Sequence, residues 1–176
     1  MFDERKRAIL LGLAFLILLL VSYFANTAFF ETLNVLFQNQ LLVFLMIFIH
    51  NVIVVSLILL GMTFYVDLVV LGLFKREKYA YIVLEHPRTF AIVFAFMVLF
   101  LSILRGTNIF LGSIIVEALP MIFFVSAPIG IIEGYGIYLT IKKTLSRTIT
   151  VKDLVYIYGI FIIAAAIEVG LINVLR

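Results

Sequence analysis

Five apolar runs, at residues 8–25, 41–73, 89–104, 109–141 and 154–175, take up most of a 176-residue chain. Each approaches or exceeds the ~20 apolar residues that a helix needs to cross the ~30 Å hydrocarbon core of a bilayer. The chain is 65% hydrophobic and 13% charged, with a mean hydropathy of +1.28. Soluble domains are about 45–50% apolar and about 25% charged. These values predict an all-α polytopic membrane bundle of five transmembrane helices, one domain over residues 1–176, with the lipid bilayer as its partner. The chain has no cysteine, which excludes disulfides, thiol catalysis and thiolate metal sites, and two histidines are thin material for zinc. No cofactor is indicated.

The basic residues set a topology. Arg5, Lys6 and Arg7 precede the first span; Lys75, Arg76, Lys78 and Arg88 separate the second from the third; Lys142, Lys143, Arg147 and Lys152 separate the fourth from the fifth. Only Arg105 and Arg176 fall on the other side. The positive-inside rule then places the N-terminus and the 74–88 and 142–153 loops in the cytoplasm and the C-terminus outside. This bias accounts for the net charge of +3 without invoking nucleic acid. The first span follows Asp-Glu-Arg-Lys-Arg like a signal peptide, but Ser22-Tyr-Phe-Ala25 lacks small residues at both cleavage positions, so it reads as a retained signal anchor.

Two runs, 41–73 and 109–141, hold 33 residues each, roughly 50 Å as helix. Tilt alone does not fit that length into the bilayer, so each is expected to be kinked, broken or partly interfacial, and both are read as single crossings. Residues 26–40 put Phe29, Phe30, Leu33, Leu36 and Phe37 at helical spacing against Glu31, Asn34 and Gln38, which predicts a separate short helix on the outer interface. Thr150-Val-Lys-Asp153 is a capping-box variant that starts the last helix. Tyr79, Tyr81, Tyr138, Tyr156 and Tyr158 are expected to form the inner aromatic belt.

Inside the spans lie His50, Asp67, Glu117, Glu133 and Glu168, with no lysine or arginine among them. Ionisable groups in hydrocarbon are costly and must face the protein interior or water. His50, Glu117 and Glu168 fall in the outer leaflet, Asp67 and Glu133 in the inner one. Desolvation favours the protonated acids, which can then bond helix to helix. The same residues could instead pass a proton or cation between two depths. An intramembrane hydrolase lacks its motifs. Ser126, Gly130 and Gly134 share one helix face, a small-residue pattern that lets backbones approach and suggests a homodimer seam. Pro128 is expected to kink that helix near residues 123–124. Glu133 sits beside this face, where a discontinuous helix would line a midplane site.

Phe48-Ile-His50-Asn51, Gly61, Asp67-Leu-Val-Val-Leu-Gly72, Pro128-Ile-Gly130-Ile-Ile-Glu133 and Ala164-Ala-Ala-Ile-Glu168 form an ordered series. In order and spacing it resembles the stage II sporulation protein M family, from about residue 40 onward. The resemblance matches Asn51 to the second residue of an Asn-Asn pair, Gly72 to a glycine closing span two, and Pro128, Gly130 and Glu133 to a Pro-His-Gly-x-x-Glu frame. Glu168 matches a late glutamate. His50 and Asp67 replace asparagines, Leu68 a glycine and Ile129 the motif histidine, which removes the group that acid–base chemistry would use there. The resemblance implies a non-enzymatic membrane scaffold or assembly protein; family members in spore-forming bacteria help to hold peptidoglycan-degrading enzymes at a membrane. The second reading of the residues is a small ion- or proton-coupled permease using the intramembrane acids.

Overall fold

The computed structural model describes residues 4–36, 39–72, 81–111 and 119–175, with side chains described at 6–25, 39–72, 81–100, 120, 123–124, 127–171 and 173. The described chain is all helix, turn and short connection: α1 (Glu4–Leu36), α2 (Gln40–Val70), the single turn α3 (Ile82–Glu85), α4 (Pro87–Leu111), α5 (Leu119–Leu145) and α6 (Val151–Leu175). Lys6–Ala25, Gln40–Val70 and Val151–Leu171 are long and apolar enough to cross a bilayer, and Pro87–Phe100 is a shorter apolar helix. Three such helices among the described residues mark a membrane protein.

The helix ends follow from local chemistry. Asn39 Oδ1 accepts from the Leu41 and Leu42 amides at 3.1 and 3.3 Å, capping α2. At the other end Gly72 takes φ 70° and its amide bonds the Val69 carbonyl at 3.0 Å, a left-handed stop that suits a residue without Cβ. Pro87 opens α4, where its missing N–H has no intrahelical partner to lose. The capping box forms as expected. The Asp153 amide donates to Thr150 Oγ1 at 3.2 Å, and Asp153 Oδ2 accepts from the Thr150 amide and hydroxyl at 2.9 and 2.8 Å.

Two boundaries differ from expectation. No separate interfacial helix begins at residue 26, because α1 runs unbroken for 33 residues to Leu36. Its polar residues there include no proline or glycine to stop it. The 109–141 run is shared between two helices: α4 extends to Leu111 and α5 starts at Leu119, with residues 112–118 outside the described residues. At its far end α5 continues past the run, through Lys142 and Lys143 to Leu145. α5 is continuous through Pro128, and α2 is a single 31-residue helix.

α2, α5 and α6 pack against one another, α1 packs on α2, and α4 packs on α5. Arg7 meets Asp67, Gly12 meets Phe64, and Phe15 meets Gly61, so residue numbers rise on α1 as they fall on α2. The hairpin is antiparallel. Its glycine contacts are reciprocal: a methyl group on Gly12 would lie 3.0 Å from the Phe64 ring, and one on Gly61 2.9 Å from the Phe15 ring. Each helix places a glycine and, three residues on, a phenylalanine, so each ring fills the gap over the other helix's glycine. The core joins Val55 and Val66 of α2, Ala91 and Ala95 of α4, Ile137, Ile141 and Leu145 of α5, and Ile157 and Phe161 of α6. A second cluster sets Val43 and Ile47 of α2 against Ala165 of α6. Small residues at these contacts let helices close without a hydrophobic drive between them.

The small-residue face of α5 is filled from within the chain. Leu99 of α4 lies 2.8 Å from a methyl group placed on Gly134 and 3.4 Å from one on Gly130. These glycines therefore seat α4. The Ser126 side chain lies outside the described residues. Gly136, on another face, seats the buried ring of Phe161.

A methyl at Gly136 would approach Phe161 Cε2 to 2.6 Å, whereas nothing lies within 4 Å of one at Gly159. Gly136→Ala is therefore expected to destabilise by about 1–3 kcal/mol through overpacking. Gly159→Ala should stabilise by up to about 1 kcal/mol through helix propensity. Thermal unfolding of both variants in detergent checks the opposite signs.

Candidate functional site

Asp67 lies three residues before the end of α2, and its carbonyl accepts the Leu71 amide at 2.9 Å. Its residue surface is only 6% exposed. An uncompensated carboxylate in that position would be costly. Arg7, from the first turn of α1, resolves it with a two-pronged contact: Nε donates to Oδ2 at 2.9 Å and Nη2 to Oδ1 at 2.7 Å. Paired guanidinium–carboxylate bonds are among the strong forms of hydrogen bond. The arginine side chain remains 57% exposed, so it is desolvated far less than in a fully buried pair, while screening weakens the attraction. The contact exists because the antiparallel hairpin brings the start of α1 level with the end of α2.

Deeper along α2, Asn51 Nδ2 donates to Glu133 Oε1 of α5 at 2.9 Å, with Asn51 buried and Glu133 half-buried. One turn on, Ser56 Oγ and the Tyr158 hydroxyl of α6 share a 2.8 Å hydrogen bond. α2 thus carries one polar side chain to each helix it packs on: Asp67 to α1, Asn51 to α5 and Ser56 to α6. Buried Thr140 and Thr144 bond back to the carbonyls of Gly136 and Thr140 within α5, at 2.8 and 2.7 Å.

The structure joins Asn51 to Glu133, two residues from separate motifs of the sequence. It does not join them to Asp67, which lies sixteen residues further along α2, roughly 24 Å at ~1.5 Å per residue. His50 and Glu168 are half-buried on α2 and α6, and neither is without a partner. Pro128 is exposed on α5. Glu117 and Tyr79 lie outside the described residues. The expectation that no lysine or arginine accompanies the intramembrane acids is corrected by Arg7, which had been read only as a topology signal. Tyr158 is corrected too: its ring is half-buried and its hydroxyl ties α6 to α2, so it is no belt residue. A signal for Arg7 was present in the sequence. Reflection about residue 38 places residue 7 opposite residue 69, two residues from Asp67. Among the described residues no three His, Cys, Asp or Glu side chains converge as metal ligands would.

Comparison with models of known protein families, with curated proteins and with solved structures finds no match in any of the three.

Asn51→Val removes the donor to Glu133 and is expected to destabilise by about 0.5–2 kcal/mol, the range for hydrogen bonds between membrane helices. Glu133→Gln keeps a carbonyl acceptor of the same shape and should cost less. Unfolding of Asn51→Val, Glu133→Leu and the double variant, each of which removes the contact, reads the coupling directly.

Proposed function

We propose that this protein is a non-enzymatic integral membrane scaffold of five transmembrane helices, α1, α2, α4, α5 and α6, akin in role to the stage II sporulation protein M family that it resembles. Its N-terminus and the α5–α6 turn lie in the cytoplasm and its C-terminus outside. The single observation that carries the reading is the use made of Asp67 and Glu133. Each acid holds a side chain of another helix, Arg7 or Asn51, at hydrogen-bond distance. Acids so employed fasten the bundle, and the roughly 24 Å between the two contacts favours two separate clamps over one conducting path. The basic residues Lys6, Arg7, Lys142, Lys143, Arg147 and Lys152 gather at the end of the bundle where α1 and α6 begin and α2 and α5 finish, which fits a cytoplasmic end.

The chain has no native cysteine, so single introduced thiols report sidedness cleanly. Glu85→Cys and Ser146→Cys are expected to label from the cytoplasmic side and Gln40→Cys from the opposite side; labelling of residues 85 and 146 from opposite sides contradicts five crossings. Function is tested by proton and sodium flux into proteoliposomes. The scaffold reading expects background leak from the folded protein and from Glu133→Gln alike. Flux that disappears in Glu133→Gln overturns it in favour of a permease.

A further inference from the structure

The turn between α5 and α6 is short, fixed at both ends and strongly basic. At the α5 end the Thr148 amide bonds the Lys143 carbonyl and the Arg147 amide bonds the Thr144 carbonyl, both at 3.0 Å. Arg147 stands at φ 55°, the left-handed position of a Schellman stop that glycine usually fills. At the α6 end the Thr150–Asp153 box holds the first turn. The backbone from 143 to 153 is therefore tied down by its own bonds.

Four basic residues ride on this frame, and one acid answers them. Asp153 pairs with Lys143 at 3.4 Å and is otherwise occupied by Thr150. Lys142, Arg147 and Lys152 are left without a carboxylate among the described contacts, with Arg147 and Lys152 exposed and Lys142 half-exposed. Below them lies an aromatic layer. The Lys142 ammonium stands 5.5 Å from the Tyr138 ring centre, and Tyr156 follows Lys152 by four residues, one turn deeper on α6. Tyr135 stacks on Tyr138 within α5, extending the layer along that helix. Tyrosines of this kind settle at the headgroup level of a bilayer, which puts the cations one turn above them at the depth of lipid phosphates.

We propose that the α5–α6 turn is a binding site for the phosphate headgroup of an anionic phospholipid, held by Lys142, Arg147 and Lys152. This rests on the membrane-spanning reading above. Lysine and arginine supply the charge, and the preset turn limits the ordering needed on binding. Each basic residue at such a surface accounts for about a fivefold change in affinity for anionic lipid.

The test uses the full chain in neutral detergent. Dioctanoyl phosphatidylglycerol, dioctanoyl phosphatidylcholine and inorganic phosphate are added separately, and binding is read by native mass spectrometry alongside Tm. Phosphatidylglycerol is expected to bind and raise Tm, with phosphatidylcholine and phosphate doing neither. Lys142→Gln with Arg147→Gln and Lys152→Gln should weaken binding by about a hundredfold or more, while Lys142→Arg with Lys152→Arg retains it. If the triple variant does not fold, the exposed single variants Arg147→Gln and Lys152→Gln are each expected to lose about fivefold. Equal binding of both lipids, undiminished binding by the Gln variants, or an equal effect of inorganic phosphate overturns the proposal. Thiol labelling of residues 85 and 146 tests the membrane reading independently, so the two can fail separately.

Discussion

A carboxylate close to the end of a 31-residue apolar helix is the constraint around which this bundle is arranged. Asp67 is buried, and burial of an acid demands a donor of matching strength. Arg7 is that donor, and it reaches Asp67 only when α1 and α2 form an antiparallel hairpin in one register. The reciprocal packing of Phe64 over Gly12 and Phe15 over Gly61 holds the same register by shape. Charge and volume therefore select one alignment together, and a slide of a single turn would spoil both.

From that hairpin α2 becomes the axis of the molecule. Two further polar side chains point to the other two helices it packs on, Asn51 to Glu133 and Ser56 to Tyr158. In lipid the apolar surfaces of helices gain little from leaving one apolar medium for another, so close packing and hydrogen bonds carry association. The core reflects this. Ala91, Ala95, Ala164 and Ala165 are buried at helix contacts, and glycines 134 and 136 admit Leu99 and Phe161. Large apolar side chains are instead left on the outer surfaces, from Ile9 and Phe24 of α1 to Phe96 of α4 and Ile131 of α5, a surface suited to lipid.

Much of this was legible in the chain because it is local. The Thr150–Asp153 box marked the start of α6, and apolar length found the bodies of the long helices. What stayed hidden depends on contacts distant in sequence or on boundaries without a polar mark. Residues 26–36 alternate polar and apolar residues as an interfacial helix would, yet nothing in them breaks α1. The α4–α5 boundary lies inside an apolar run. Arg7 and Asp67 are sixty residues apart, and each has a sufficient local explanation on its own, as a topology charge and as a costly acid. Small residues at 130 and 134 were read correctly as a packing face, but spacing alone does not say whether the partner is another copy or, as here, Leu99. The pairing of Asn51 with Glu133 was half visible, since both belong to the ordered motifs but no spacing rule links them.

The central claim is that the buried acids fasten helices, and charge exchange at the first clamp tests it most directly. Arg7→Asp, Asp67→Arg and the double exchange are compared with the unmodified protein by thermal unfolding in the same detergent. The account predicts that each single reversal lowers Tm, because it places like charges together, and that the double exchange recovers most of the loss. A double exchange that loses as much as the two single changes added together contradicts it.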